Sequence, residues 1–465
     1  MIIQINNVGP ISAYEFDLNK DFHIIVGENN IGKSYAISIV YLILRCLINS
    51  SQQWILPFDR DRRIARIVQQ ISFKDGNSTI IDEKIATTIL TYFGFTEELD
   101  RAFKATFDSI YKPSNNNSNV RSFISISCGN VIVYIYLDNL LTIGSVFFKE
   151  LRLSSRDGES RLLENDDAII IAAVNEEEFK TKATEYVMAQ MFNELQSISL
   201  SICFLPSSRS GLYQALHAYS LILIEISKNR SHFRDSISLP SLTTPISDYL
   251  SLLADATDPR HLLDNIFDLS SFTTDKLYNT MRSLEEDIIK GKITYDKNSK
   301  KIYYCQQGTD NQLELNFTSS MVSEIALLIT FLRYILYNTG RHYNGSCLEP
   351  NMPSNSILFI EEPEAHLHPE VQVQLTEIFA QLVKAGVKVV MTSHSNYIFS
   401  KVNNLIMAGE LNPENTQVTV FKMEEEGSIG HNLQVDAMGV DDENFVDVTE
   451  RIYLEKMALF ARTYS

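Results

Sequence analysis

The sequence predicts an α/β fold in which a mixed β sheet is flanked by helices and broken up by helical insertions. Three stretches carry that prediction. Residues 27–34 read GENNIGKS and lie between the apolar run Phe22, His23, Ile24, Ile25, Val26 and a stretch from Tyr35 to Leu44 that can continue as a helix. Residues 357–362 read ILFIEE, a strand apolar on both faces that ends in two acids. Residues 387–395 read VKVVMTSHS, a further strand that ends at a histidine, with Gly386 stopping the helix before it. Strands apolar on both faces belong in the middle of a parallel sheet, which needs helices on both sides.

The remaining elements follow in order. Ile2, Ile3, Gln4 and Ile5 pair with the run from Tyr14 to Leu18 as a hairpin around Gly9 and Pro10. Residues 51–112 lean helical, with Ile64, Ile67, Val68 and Ile71 at helical spacing, and end in a polar Asn/Ser tract at 112–119. Strands dominate 120–153, and 175–196 read as an amphipathic helix whose Glu176, Glu177 and Glu178 suit the positive end of its dipole. An apolar strand at 198–204 turns through LPSSRSG into a helix from Leu212. Residues 213–290 read as a helical insertion with breaks at Pro240 and Pro245. Three short strands are expected within 291–317, the last at 312–317. The run SSMVSE at 319–324 then opens a helix over 325–337, with serine as N-cap and Glu324 as a first-turn acid. The expected division is 1–50 and 291–465 as the two ends of one core, 120–212 as strands and helix of the core lobe, and 51–119 and 213–290 as insertions.

Composition narrows the class. The chain has 465 residues, 45% hydrophobic and 21% charged, enough for a large core. Its net charge of −18 argues against binding nucleic acid over a broad face, which needs clustered cations. The one basic cluster, Arg60, Arg62, Arg63 and Arg66, reads as a solvated helix face. Arg45 interrupts the best apolar run at 37–48, so no membrane span is expected. The N-terminus lacks the pattern of a signal peptide. Five scattered cysteines without C-x-x-C spacing read as reduced structural thiols, so a cytoplasmic protein is expected.

The chemistry concentrates in four places. GENNIGKS fits G-x-x-x-x-G-K-[ST]. Gly27 and Gly32 let the backbone curl so that N–H groups converge on a phosphate, Lys33 reaches the β- and γ-phosphates, and Ser34 offers its hydroxyl to Mg²⁺. The nucleotide-binding set is therefore Gly27, Glu28, Asn29, Asn30, Ile31, Gly32, Lys33, Ser34 and Tyr35. Such a loop needs an acid-tipped strand: Glu361 would face the metal and Glu362 would hold or activate water. His394, at the end of the last strand, either hydrogen-bonds the γ-phosphate or water, or is a buried structural histidine. The pair His366 and His368 sits in a proline-bounded loop without a cysteine and does not read as a metal site. Arg209, at the LPSSRSG turn, faces a phosphate or partner, or caps local carbonyls. Asp441, Asp442, Glu443 and Asp447 read as a solvated loop.

ILFIEEPEAHLHP followed by a strand and TSHS resembles the ABC-type P-loop ATPases of the SMC/RecF/OLD-like group. The resemblance covers residues 1–45, the SSMVSE element and 355–400, and LPSSRSG resembles a motif of stand-alone ATPases in that group. It implies an ABC-type ATPase head that uses ATP and Mg²⁺. Lys33 and Ser34 fall at the Walker A positions, Glu361 and Glu362 at the Walker B acid and catalytic glutamate, and His394 at the switch histidine. Ser319 and Ser320 would belong to a signature motif that completes the site of another subunit, which implies a homodimer or higher oligomer. Met321 stands where that motif usually has glycine. The insertions are too short for a coiled-coil arm, and no fused nuclease is evident. In that respect the chain resembles the ATPase subunits of two-gene antiphage systems, PARIS (AriA-like) and then Septu (PtuA-like). That resemblance implies a separate effector nuclease and a phage-encoded trigger. A RecF-like ATPase acting on duplex DNA is the alternative. No N-K-x-D motif supports GTP chemistry.

Overall fold

The computed structural model describes residues 1–52, 95–107, most of 122–172, 201–216, 242–256, 276–296, most of 301–341, nearly all of 356–440 and a short piece at 453–459. The expected helix at 175–196, the basic cluster at 60–66, the polar tract and the acidic run at 441–447 lie outside the described residues.

Among the described residues one sheet of 11 strands organises the molecule; β7 (Leu151–Ser154), β8 (Leu162–Asn165) and β9 (Ala168–Ala172) form a second sheet, and β11 (Gly291–Asp296), β12 (Lys301–Gln306) and β13 (Gln312–Glu314) a third. The centre of the large sheet is β3 (Phe22–Gly27), buried at every position except the last. β3 pairs in parallel with β15 (Val387–Thr392) on one side and with β16 (Thr416–Glu424) on the other. Beyond β15 lie β14 (Ser356–Glu361) and β10 (Ser201–Leu205), also parallel. Beyond β16, β17 (Gly427–Asn432) turns back antiparallel and runs beside β2 (Ile11–Asp17). β1 (Ile2–Val8), β4 (Phe123–Cys128), β5 (Val131–Leu137) and β6 (Leu141–Phe148) extend that limb antiparallel. The expected hairpin at 2–18 is this β1–β2 pair.

The physical division is visible in the sequences. The parallel strands are unbroken apolar runs because both faces are covered. β3 sends Ile25 into one core and Ile24 and Val26 into the other. The first core holds α1 (Lys33–Gln52), the helix that leaves the phosphate loop, and α2 (Phe95–Phe107). The second holds α3 (Thr244–Ala256), α4 (Lys276–Ser283), α5 (Ser320–Arg341), α6 (Pro369–Lys384) and α7 (Asn396–Met407). Arg45, which breaks the apolar run of α1, pairs with Glu98 at 2.9 Å and Asp248 at 2.5 Å, and Tyr41 donates to Asp248 at 2.8 Å. The arginine thus ties α1 to α2 and α3. No described helix is long and apolar enough to cross a membrane.

Two expectations need correction. The strand expected at 312–317 ends at Glu314, and Leu315–Phe317 form a 3₁₀ turn. Leu315 is buried and its carbonyl accepts the Thr318 hydroxyl at 2.7 Å, which leaves Phe317 77% exposed. The following helix starts at Ser320, five residues earlier than expected.

Candidate functional site

The carboxyl ends of β14, β15 and β3 meet along one edge of the sheet, where open α/β sheets bind ligands. Register brings Glu361 beside Thr392, and Thr392 beside Ile25. The loop after β3 and the acids after β14 are therefore held together by backbone pairing.

The loop curls through three left-handed residues, Gly27 (φ 141°), Asn30 (φ 62°) and Gly32 (φ 92°). A Cβ at Gly27 would lie 2.6 Å from the Phe421 carbonyl oxygen, so only glycine fits there. Glu28, Asn29 and Asn30 are exposed, whereas Ile31 is buried and anchors the loop in the core. Lys33 is 4% exposed. Its ammonium donates to the carbonyls of Gly27 at 3.0 Å and Glu28 at 2.5 Å and lies 3.4 Å from His394 Nδ1. Burial lowers its pKa to about 8, opposed by the charges of Glu362, Glu364 and Glu28. The Tyr35 ring packs on Phe107 at 4.2 Å and fills the space over Gly9.

The Ser34 hydroxyl donates to the Glu361 carboxylate, which also accepts the Ser207 N–H. Glu361 keeps some solvent exposure, but the surrounding protein raises its carboxyl to about 7. A hydroxyl and a carboxylate in contact form a suitable oxygen pair for Mg²⁺. A cation held there would replace a proton on the raised carboxyl. Mg²⁺ affinity, measured by titration of the nucleotide-free protein, is therefore expected to rise with pH through about 7, with Glu361→Gln flattening the dependence.

Glu362 adopts φ 42°, a strained conformation for a glutamate. Its N–H donates to the Thr392 carbonyl at 3.1 Å, and its carboxylate lies 3.5 Å from His394 Nε2. Burial and then Lys33 lower the His394 pKa, so the imidazole is neutral at pH 7; the ring also hydrogen-bonds the Gly27 carbonyl. His394 thus touches the phosphate-loop lysine, the loop backbone and the free acid at once.

Glu364 belongs to the site although the local pattern points only to the neighbouring histidines. Its Oε1 accepts the Ser393 hydroxyl at 2.9 Å and the His394 N–H at 2.6 Å, and Oε2 is buried without a hydrogen-bond partner. Burial raises its pKa. The carboxylate fixes the turn that carries His394. His368 caps α6, its ring accepting the Glu370 N–H.

Arg209 takes one of the two roles expected for it, capping carbonyls. It is 2% exposed. Its Nε donates to Glu324 at 2.8 Å, and one terminal nitrogen donates to the carbonyls of Glu361 at 2.9 Å and Pro206 at 3.2 Å. Glu324 is accordingly a buried counter-ion and not a first-turn cap. The cap is Ser319, whose hydroxyl accepts the Val322 N–H at 3.3 Å. Ser319 and Ser320 are both exposed at the helix start.

A glycine-bounded loop on a parallel strand, with its lysine facing the acid-tipped end of a sister strand, defines a P-loop nucleotide hydrolase. The chain belongs to the AAA ATPase domain family, whose model matches residues 1–399, and binding and hydrolysis of ATP are the chemistry of that domain. No curated protein matches the sequence. Two similar solved structures are the Smc head domain of Pyrococcus furiosus with an extended coiled coil, bound to the C-terminal domain of ScpA, and the SMC head domain of Thermotoga maritima. The first is 10% identical over 97% of this chain and 98% of that chain, with a TM-score of 0.37. The second is 9% identical over 93% and 98%, with a TM-score of 0.36.

Proposed function

We propose that the chain is a regulatory ATPase that works as a pair of heads and controls a separate effector nuclease in defence against phage. The observation that carries the ATPase site is the convergence of Lys33, Ser34, Glu361, Glu362 and His394 on one sheet edge. In this reading the loop N–H groups and Lys33 hold the β- and γ-phosphates. Ser34 and Glu361 hold Mg²⁺, which neutralises phosphate charge. Glu362 takes the proton from the attacking water, and neutral His394 orients the water or donates to the γ-phosphate.

Support for the paired state comes from the start of α5. Ser319 and Ser320 stand exposed beside Phe317, at a helix N-terminus suited to an anion. A second copy would bring that terminus to the γ-phosphate held by the first. Met321 in place of the usual glycine keeps this approach looser than in relatives that carry glycine. The defence role rests on the resemblance to stand-alone antiphage ATPases.

Lys33→Ala is expected to weaken binding of a fluorescent ATP analogue by about 100-fold or more, by removing a desolvated charge from the phosphate. Wild-type affinity in that variant would remove the phosphate-loop assignment. The biological reading is tested by plating phage on cells that carry this gene with its genomic neighbour. Protection is expected with wild type and its loss with Lys33→Ala; equal plating on all strains overturns the defence role and leaves the ATPase site standing.

A further inference from the structure

We propose that the turn at 206–208, together with the first helical residues after it, 209 and 210, is the link through which the metal-binding acid positions the exposed start of α5, with Arg209 and Glu324 as its positioning residues. The proposal rests on the two-copy site described above.

The turn holds Glu361 at two points. The Ser207 N–H donates to its carboxylate, and the Arg209 guanidinium donates to its backbone carbonyl at 2.9 Å. The same turn holds α5 just as closely. Arg209 Nε donates to Glu324 Oε2 at 2.8 Å, and the Ser210 hydroxyl donates to Glu324 Oε1 at 2.7 Å. Glu324 lies four residues after Ser320, one helical turn along α5. Tyr249, from α3, donates to the Arg209 carbonyl at 3.1 Å and pins the turn from behind.

The parts are rigid. The guanidinium is a planar fork with fixed donor directions, so a change in the position of Glu361 reaches Glu324 without slack. The pair is 3% and 2% exposed at the side chains, so water does not loosen it. At the helix start, the Ser323 hydroxyl lies within hydrogen-bond distance of the Leu315 and Ser319 carbonyls, which makes the first turn of α5 and the 3₁₀ turn before it one unit. A cation drawn to Ser34 and Glu361 therefore acts at one end of a continuous polar chain whose other end presents Ser319 and Ser320.

The test separates coupling from folding and from nucleotide binding. In a Glu362→Gln background that retains ATP, the parent is expected to self-associate on adding Mg²⁺-ATP, read by analytical ultracentrifugation. Arg209→Met with Glu324→Leu replaces the buried charges by apolar groups of similar size, a change that buried pairs tolerate. Arg209→Lys is the second arm; it keeps the charge pair but loses the fork. Both are expected to bind the fluorescent ATP analogue within about threefold of the parent while Mg²⁺-ATP-driven association weakens by about tenfold or more, the usual size of a coupling between sites. Association equal to the parent in both variants overturns the coupling alone. Loss of analogue binding in a folded variant places the pair in nucleotide holding and also overturns it. A parent that stays monomeric overturns the coupling and the paired-head reading together.

Discussion

Glu362→Gln is expected to cut steady-state ATP turnover by about 10²–10⁴-fold, the usual worth of a positioned general base, while leaving Mg²⁺-ATP binding close to wild type. Of the acids at this edge, Glu361 is occupied by Ser34 and Ser207, and Glu364 by Ser393 and His394. Glu362 is the one whose carboxylate projects toward solvent, with the neutral His394 ring 3.5 Å away. Its left-handed backbone, φ 42°, takes the residue out of the extended conformation of the strand before it. Glutamine keeps the length and the strain but cannot accept a proton from water. Phosphate release and equilibrium binding of a fluorescent analogue, measured on the same preparation, give the two numbers. Wild-type turnover would falsify the assignment, and loss of both turnover and binding would move Glu362 from chemistry to nucleotide holding.

Breaking the Arg209–Glu324 pair from one side is the change expected to harm stability most. Removing one partner leaves the other as an uncompensated buried charge, which costs about 3–5 kcal/mol. Arg209→Ala strands Glu324 with the Ser210 hydroxyl and N–H as its remaining donors. Glu324→Ala strands the guanidinium against backbone carbonyls. Each single variant is expected to unfold at clearly lower urea than the Arg209→Met, Glu324→Leu double variant, followed by circular dichroism. Singles as stable as wild type would show that water or neighbours compensate the charge.

The central sheet is legible in the sequence because each parallel strand is an uninterrupted apolar run with a chemical signal at its carboxyl end. Gly27, Glu361 and His394 can be read without knowing which strand lies beside which. The rest depends on contacts that leave no local trace. β16 and β17 complete the sheet between β3 and β2, yet their sequences show neither a two-sided apolar run nor strict alternation. Glu324 resembles a first-turn acid, and its true partner lies 115 residues away. Phe317 continues an alternating pattern that the Thr318 hydroxyl ends by closing a 3₁₀ turn. Glu364 is masked by the histidines that follow it, and its role appears only once β15 delivers Ser393 and His394.

The order of strands also sets how the chain must be made. β3 is apolar on both faces, and its two sheet neighbours come from residues 387–392 and 416–424. At ribosomal rates of about 5–20 residues per second, the strand that bears the phosphate loop waits roughly 20–70 s, with both edges unpaired, for its first neighbour to be synthesised. Through that interval it is a sticky, two-edged template, the kind that aggregates or recruits chaperones. The nucleotide site therefore assembles last and all at once. A chain interrupted before residue 387 keeps GENNIGKS in its sequence but has neither of the strands that flank β3.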